Sequence, residues 1–306
     1  MSTSADPAIS LPPQARLGFP SGDLEATDSV AGGPRRRFAA SESERGSILK
    51  YKADRGPVAY VLAMFAVHVL LWWFASPMIA LASTLPLAIA SMFVAPINHH
   101  HQHLNTFRSP VANRFYDLAL ALQTGVAPYS WTLHHNLGHH LNYLNQHPHT
   151  SPDESAWTRR DGTQMGRVEY TLDMLLRHQS DIFRVGQQYP RFRRYWLAMK
   201  LPLWGLLGGA LFVNPLNTLL IFLIPGFMAL THTIWATYEH HAGCPTDDHV
   251  LGSFNRDNRL YNWMTGNLGL HTAHHSRPGV HWSLLPRLHE EIKHQIPESQ
   301  IVTRFW

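Results

Sequence analysis

The chain has 306 residues, with 25 Lys or Arg against 21 Asp or Glu and a mean hydropathy of −0.17. The positive excess is too small and too scattered to predict a nucleic-acid partner, and the single cysteine, Cys244, excludes an internal disulfide or a cysteine-ligated metal cluster within the chain. Histidine, in contrast, occurs 22 times, so a metal bound here is held by nitrogen or oxygen.

The N-terminal segment, residues 1–48, is rich in Ser, Ala, Pro and Gly and has no periodic apolar face. This composition predicts a disordered tail. The segment lacks the apolar core of a signal peptide, so we expect the first membrane span to direct insertion. Residues 49–306 are predicted to form one catalytic domain.

Two stretches contain no Asp, Glu, Lys or Arg: Pro57–Ile97, with 41 residues, and Leu201–Tyr238, with 38. A bilayer crossing needs roughly 20 apolar residues, so each stretch predicts a helical hairpin, with turns near Pro77 and Pro215. The four spans are predicted at about 57–75, 78–97, 196–213 and 218–238. A buried hairpin in a soluble core is the alternative, but soluble helices of this length carry a charged face.

The topology follows from the hairpins. Because each apolar stretch crosses twice, both termini and the segment 98–200 are predicted to lie on one side, and all Lys and Arg lie in these segments. The positive-inside rule makes that side cytoplasmic. The further apolar stretch Phe115–Leu133 contains Asp117 and is predicted to be an interfacial or re-entrant helical segment, because a span there would separate the histidine clusters.

The first two histidine clusters follow the second span. In INHHHQH, His99 and His103 are four residues apart and share one helical face. In LHHNLGHH, His135, His139 and His140 follow an i, i+4, i+5 pattern. Both patterns are typical of metal-ligand sets; an interfacial polar collar is the alternative for the first.

The third cluster, GLHTAHH, places His271, His274 and His275 on one helical face. A ninth candidate ligand, His240 in YEHHAG, emerges from the fourth span at the same membrane level as the first cluster, and His241 is the competing choice. The pattern therefore predicts an all-α protein: a four-helix transmembrane bundle of two hairpins, with a cytoplasmic helical cap that holds a histidine-ligated dimetal site.

Nine imidazoles exceed the coordination of one first-row ion and predict two metal ions. Imidazole suits zinc, copper, iron and nickel, but zinc sites use three or four protein ligands, so the set favours a redox metal. We favour iron, which with dioxygen can attack an unactivated C–H bond. Carboxylates that could orient ligand imidazoles are Asp153, Glu154, Asp247, Asp248 and Asp257, although for each a solvated surface charge is the simpler interpretation.

These motifs resemble those of the membrane fatty acid desaturase and alkane hydroxylase superfamily. The resemblance covers roughly residues 57–297 and rests on HxxxH at His99, HNxGHH at His135, HxxHH at His271 and the EHxxG pattern at His240. It implies that the nine histidines bind two iron ions per chain, that dioxygen is the co-substrate, and that the substrate is a fatty acyl or alkyl chain. It also implies a separate electron donor, a ferredoxin or rubredoxin with its reductase.

The reaction is left open by the motifs. The plain HxxHH box is typical of desaturases, whereas HNLGHH and YEHHAG resemble the hydroxylase branch. We therefore expect a fatty acid desaturase, with hydroxylation or decarboxylation to a terminal alkene as alternatives. A histidine-rich metal transporter is the rival class, but it should carry ligands near the middle of several spans.

A few further residues are singled out by their position. His68 and His232 lie inside predicted spans, where polar groups often serve function, and they are candidates for lining the substrate tunnel; a packing role is the alternative. His178 and His289 lie outside the clusters and are predicted to have no role. A basic cluster could receive an acidic electron donor or bind anionic lipid: Arg184, Arg191, Arg193 and Arg194.

Overall fold

The computed structural model describes residue 41 and residues 43–305. Most of the predicted disordered tail, residues 1–40 and 42, lies outside the described residues. The end of that tail already makes contacts: the backbone N–H of Arg108 donates to Ile48 O at 3.0 Å, and its Nε donates to Gly46 O at 2.9 Å. The folded part of the chain therefore begins before residue 49.

The described chain is built from helices. In chain order these are α1 (Arg55–Phe74), α2 (Pro77–His103), α3 (Pro110–Thr124), a π-helical segment (Thr132–His139) continued by α4 (His140–Asn142), α5 (Arg167–Gln188), α6 (Pro190–Val213), α7 (Pro215–Thr218), a second π-helical segment (Leu219–Leu223) continued by α8 (Ile224–His241), α9 (Arg259–Thr265), α10 (His271–Ser276) and α11 (Leu285–Ile292). The two short strands, β1 (Asn255–Arg256) and β2 (Ile301–Val302), pair in parallel with Asn255 opposite Ile301. Single 3₁₀ turns occur at Lys52–Asp54, Trp282–Leu284, Lys293–Gln295 and Glu298–Gln300.

Within the described residues, four helical stretches are long and apolar enough to cross a membrane, which confirms the predicted fold class. They are Lys52–Phe74, Pro77–His103, Pro190–Val213 and Pro215–His241. The predicted turns are also confirmed, since the helices break at Ser76 and at Asn214. At the opposite ends α2 and α8 extend beyond the apolar stretches, because hydropathy marks where a helix leaves lipid and not where it stops.

The four spanning helices are buried to different degrees. In the spans Pro77–His103 and Pro215–His241, 33% and 39% of the most apolar 18 residues are buried. The value is 11% in each of the spans Lys52–Phe74 and Pro190–Val213, so α2 and α8 form the centre of the bundle. The outer helices expose large apolar side chains such as Phe74, Trp204 and Phe212. A continuous exposed apolar surface of this kind is stable in lipid and not in water. The protein is therefore a membrane protein.

Helix α3 packs against α1, α2 and α8 and is not among the spanning helices. It ends at Gly125, whose φ of 69° is left-handed. A Cβ at this position would lie 2.7 Å from the carbonyl oxygen of Gly226 in α8, so only glycine allows this approach. The chain then turns back into the first π-helical segment, in agreement with the prediction that Phe115–Leu133 is not a fifth span.

The C-terminal cap, which is the part of the chain after α8, is tied to the start of α1 by a buried polar contact. The carboxylate of Asp54 accepts hydrogen bonds from Trp282 Nε1 at 2.8 Å and from His281 Nε2 at 3.0 Å. Tyr51 stacks on the His281 ring at 3.8 Å. These contacts hold the segment after α10 against the membrane bundle.

Candidate metal centre

The last turn of α2 presents the first histidine pair and anchors the second cluster. His99 and His103 are on one face, with ring centroids 4.6 Å apart. On the same helix, Gln102 Oε1 accepts the backbone N–H groups of Trp131 at 2.9 Å and Thr132 at 3.1 Å. The first N–H groups of a helix have no partner within it, so Gln102 caps the π-helical segment and fixes its position beside α2.

The π-helical segment explains the spacing of the second cluster. In a π-helix each hydrogen bond spans five residues, so residues four and five apart both return to the same side. His135, His139 and His140 consequently point toward α2, α8 and α10. Gly138 lies against Glu154: a Cβ there would be 2.5 Å from the Glu154 carboxylate. The glycine thus allows the segment to pack closely on the loop behind it.

The third cluster is carried by α10, which Asn255 of β1 anchors with two hydrogen bonds. Asn255 Oδ1 accepts the backbone N–H of Thr272 at 3.1 Å, and its Nδ2 donates to Thr272 Oγ1 at 2.7 Å. The short parallel pairing of β1 with β2 supports this asparagine. The anchored helix directs His274 and His275 into the space between α2, α8 and the π-helical segment.

Five histidines from these elements form a first group. Each offers one ring nitrogen, and these atoms lie within 4.8 Å of one another; the residues are His99, His103, His135, His140 and His274. The Nε2 atom of His135 is 2.7 Å from that of His99 and 3.0 Å from that of His140. The Nε2 atom of His140 is 3.1 Å from that of His274.

A second group lies directly beside the first. His139, His241 and His275 place one ring nitrogen each within 4.8 Å of one another. The Nε2 atom of His241 is 3.2 Å from that of His139 and 2.9 Å from that of His271, which joins this group from α10. The ring of His275 is 4.2 Å from that of His140, so the two groups share a wall.

These separations fit metal ions. Imidazole nitrogens bound at about 2.0–2.1 Å to one ion are themselves about 3 Å apart. Without a cation, facing nitrogen lone pairs at this distance repel one another. In addition, the buried Nε2 atoms of His103 and His275 have no hydrogen-bond partner among the described residues, and a metal would satisfy both.

Five histidines outside the spanning helices are held in the form that binds metal. Burial lowers the pKa of His135, His140, His271, His274 and His275 well below the usual value, and neighbouring histidines lower it further. The neutral imidazole keeps a lone pair for a metal, whereas a charged ring has none. These five histidines are therefore ready ligands at neutral pH.

Two hydrogen bonds orient the second group. The Nδ1 atom of His139 donates to Asp153, whose carboxylate oxygens are 3.0 and 3.2 Å away, and Nδ1 of His241 donates to Gly252 O at 2.8 Å. Each bond leaves Nε2 as the lone-pair nitrogen that faces the group. Of the five carboxylates considered from sequence, only Asp153 contacts a clustered histidine among the described residues; Glu154 pairs with Arg184 at 3.0 Å. The other three are exposed: Asp247, Asp248 and Asp257.

The geometry favours His241 over His240, the reverse of the preference drawn from sequence. His240 stacks on the His271 ring at 4.0 Å, and its Nε2 atom is 3.4 Å from Tyr261 Oη. Successive residues of a helix point about 100° apart, so only one of the two can face the second group. The remaining eight predicted ligands lie in or beside the two groups.

Three other histidines of the clusters point elsewhere. His100 donates to the carbonyl of Thr265 at 3.2 Å, and His101 is 3.1 Å from Asp117. His134 lies beside His178 of α5, with ring centroids 5.1 Å apart. None of the three belongs to either group.

A cavity of about 450 Å³ lies next to both groups. Its walls are mostly apolar and come from α2, α5, α8, α9 and the π-helical segment. The metal-facing part is lined by His99, His135, His139 and His271. His232, one of the two candidates for lining the tunnel, also lines this cavity, whereas His68 does not: its Nδ1 atom contacts Met64 O at 2.8 Å.

His178, which sequence spacing gave no reason to select, lines the same cavity.

A second cavity of about 1080 Å³ lies between α1, α2 and the C-terminal cap. It reaches His103 of the first group and is lined at its cap side by Arg259 and Lys293. Phe93, Met264 and Thr265 line both cavities.

Four apolar helices and two adjoining groups of histidines define a membrane protein built to hold metal. The family model described as fatty acid desaturase matches residues 71–306, and the chain therefore belongs to the fatty acid desaturase family. This confirms the resemblance drawn from the histidine motifs and supports an oxidoreductase of the desaturase and hydroxylase type. A comparison with curated protein sequences found no match.

Proposed function

We propose that this protein is an oxygen-dependent di-iron oxidase that desaturates a fatty acyl chain. The observation that carries the proposal is the pair of adjoining histidine groups facing an apolar cavity inside a membrane protein. The family assignment supports the same class of reaction. The nine proposed ligands are His99, His103, His135, His140 and His274 for one ion, and His139, His241, His271 and His275 for the other.

The number of ligands supports iron. Five and four imidazoles exceed the three that catalytic zinc sites use, and zinc has no redox chemistry. When bound, the iron pair supplies the dioxygen chemistry that removes hydrogen from an unactivated C–H bond, which side chains cannot do alone. The overall reaction converts –CH2–CH2– to –CH=CH– and reduces dioxygen to two waters, with two electrons and two protons supplied from outside.

The chain's own residues position the substrate and keep water away. The apolar walls of the 450 Å³ cavity bind the hydrocarbon, and the desolvation of that surface favours entry from the bilayer. A methylene group takes up about as much room as a water molecule, about 30 Å³, so the cavity holds on the order of 15 carbons. Because His99 and His135 line its wall, methylenes of the bound chain lie beside the first group.

The electrons come from a separate protein, for which a ferredoxin or rubredoxin with its reductase has the required chemistry. We place both termini and the histidine groups on the cytoplasmic side. The two hairpins put them on the same side of the membrane as all Lys and Arg residues, and the positive-inside rule makes that side cytoplasmic. The basic cluster around Arg191 and Arg194 is the proposed docking region for an acidic donor. Anionic lipid headgroups would compete for it.

Metal transport is less well supported. A transporter holds its ion near the middle of the membrane, whereas both groups here lie at the ends of α2 and α8. Nine clustered histidine nitrogens also suit tight binding of metal ions and not their passage across the membrane. Tightly held iron near two per chain supports the oxidase, and exchangeable zinc would support the transporter.

The test is mass spectrometry of the products formed from a deuterated fatty acid by membranes that contain the full chain, reductant and donor protein. Loss of two deuterons with the chain length kept supports desaturation. Oxygen gained from labelled dioxygen would show hydroxylation, and an alkene one carbon shorter would show decarboxylation. No oxidised product with an iron-loaded chain and a working donor would overturn the proposal.

A further inference from the structure

The wall of the 450 Å³ cavity includes a pair of neighbouring histidines, His134 of the π-helical segment and His178 of α5. Ser155 lines the same cavity. Both rings are buried, at 4% exposure each, and their centroids are 5.1 Å apart. Neither belongs to the two metal-facing groups.

Both histidines have an unused polar atom. His134 Nε2 and His178 Nδ1 are buried and have no hydrogen-bond partner among the described residues. Leaving a buried polar group unpaired is unfavourable because the group has lost its water partners, so such atoms are rare unless a ligand completes them. Two of them on neighbouring residues of one cavity wall indicate a ligand that brings hydrogen-bonding atoms to this part of the wall.

The chemistry of the pair selects the ligand. Burial, with a smaller contribution from the charge of Lys200, lowers the pKa of His178 to about 4. The ring is therefore neutral at pH 7 and offers one N–H donor. A carbonyl oxygen has two lone pairs and can accept from both rings, whereas a methyl terminus would leave both nitrogens unpaired.

We propose that His134 and His178 bind the carbonyl end of the acyl substrate and so fix which carbons reach the metal centre. This inference rests on the proposed function, because it takes an acyl chain as the ligand. His134 directly precedes His135, and His139 also lines the cavity, so a chain anchored here places the carbons near its carbonyl beside the histidine groups. Oxidation is expected close to the carbonyl end and not in the middle of the chain.

The test is equilibrium binding to the full chain in lipid nanodiscs, which needs no turnover. The probes are dodecanoic acid, its methyl ester and dodecane. Replacing His178→Leu is expected to weaken binding of the acid and the ester about tenfold, the equivalent of one hydrogen bond, without weakening that of dodecane. His178→Gln keeps an N–H donor and should restore most of the affinity. His134→Leu should act like His178→Leu.

Met174→Leu is the matched control, because Met174 lines the same cavity one turn earlier on α5 and changes only shape. It should alter binding of the acid and of dodecane by the same factor. In the unmodified chain, the carbonyl stretch of the ¹³C-labelled ester should move to lower frequency than in protein-free nanodiscs, which tests the hydrogen bond without any variant. If His178→Leu weakens binding of the acid but not of the ester, the ligand is the free carboxylate. If it weakens both equally, the ligand is the carbonyl that esters and thioesters share. Both outcomes support the site.

Equal weakening of acid and dodecane by His178→Leu, or an unshifted carbonyl stretch in the unmodified chain, would overturn the inference. A carbonyl stretch whose frequency changes in Arg259→Gln and not in His178→Leu would also overturn it, because that result would place the carbonyl end in the 1080 Å³ cavity. If the proposed function is wrong, no probe is oxidised. The difference between acid and dodecane binding still tests whether His134 and His178 bind the carbonyl end.

Discussion

Replacing Asp153→Asn should weaken metal binding in the second histidine group and leave the first intact. Asp153 is buried, at 2% exposure, and its carboxylate serves two donors: Oδ2 is 3.0 Å from His139 Nδ1, and Oδ1 accepts the Ser155 N–H at 2.9 Å. An asparagine has one acceptor oxygen, so its amide N–H would face one of these donors. Loss of such a partner lowers metal affinity 10- to 100-fold, or about 1.4–2.7 kcal/mol.

The assay is competition with a graded series of iron chelators, read as iron per chain in the purified protein. We expect Asp153→Asn to lose one of two irons at a chelator concentration about 10- to 100-fold lower than the unmodified chain does. Asp247→Asn is the control, because Asp247 is an exposed carboxylate near the end of α8. Two irons held by Asp153→Asn with unchanged resistance to the chelator would refute the role given to this carboxylate.

The remaining predictions concern the ligand choice, pH and topology. His241→Ala should reduce bound iron from two per chain to about one, whereas His240→Ala should retain both; metal analysis showing the opposite would return the assignment to His240. Burial raises the pKa of Glu154 from an ordinary value of 4.5 to about 7, so the folded state holds a proton that the unfolded chain has released, and stability falls as pH rises from about 4.5 to about 7. Glu154→Gln should remove up to about 3 kcal/mol of this fall, seen as a flatter pH dependence of thermal unfolding between about pH 4.5 and 7. In a background without the native cysteine, a cysteine at Ser76 should be labelled from outside the cell and one at Ser151 should not; the reverse pattern would contradict the topology.

The membrane part of the fold was predictable because charge and length are sufficient signals for it. Two charge-free stretches, each too long for one span and too short for three, predict hairpins, and the helices do break at Ser76 and Asn214. The histidine clusters were also recognisable, since metal ligands must share a helical face. Such arguments use only properties that are local along the chain.

The remaining features depend on contacts between distant segments. Spacing alone does not decide between the adjacent histidines at the end of α8, and only the folded chain brings His241 to within 4.8 Å of His139 and His275. Likewise, Asp153 is distinguished from other carboxylates only by the loop that carries it to His139. His178 has no local motif and gains its place from the packing of α5 on the π-helical segment.

The order of the ligands along the chain has a consequence for biogenesis. The first group draws on α2, the π-helical segment and α10, and therefore joins His99 to His274, which is among the last third of the residues to be synthesised. While the ribosome is still adding the cap, the growing chain offers only part of each ligand set. Docking of the cap, which the contact of Asp54 with His281 and Trp282 secures, completes both sets together. A metal that needs both sets would therefore be acquired by the finished, inserted protein, and a chain that stops before α10 would reach the membrane without a complete metal site.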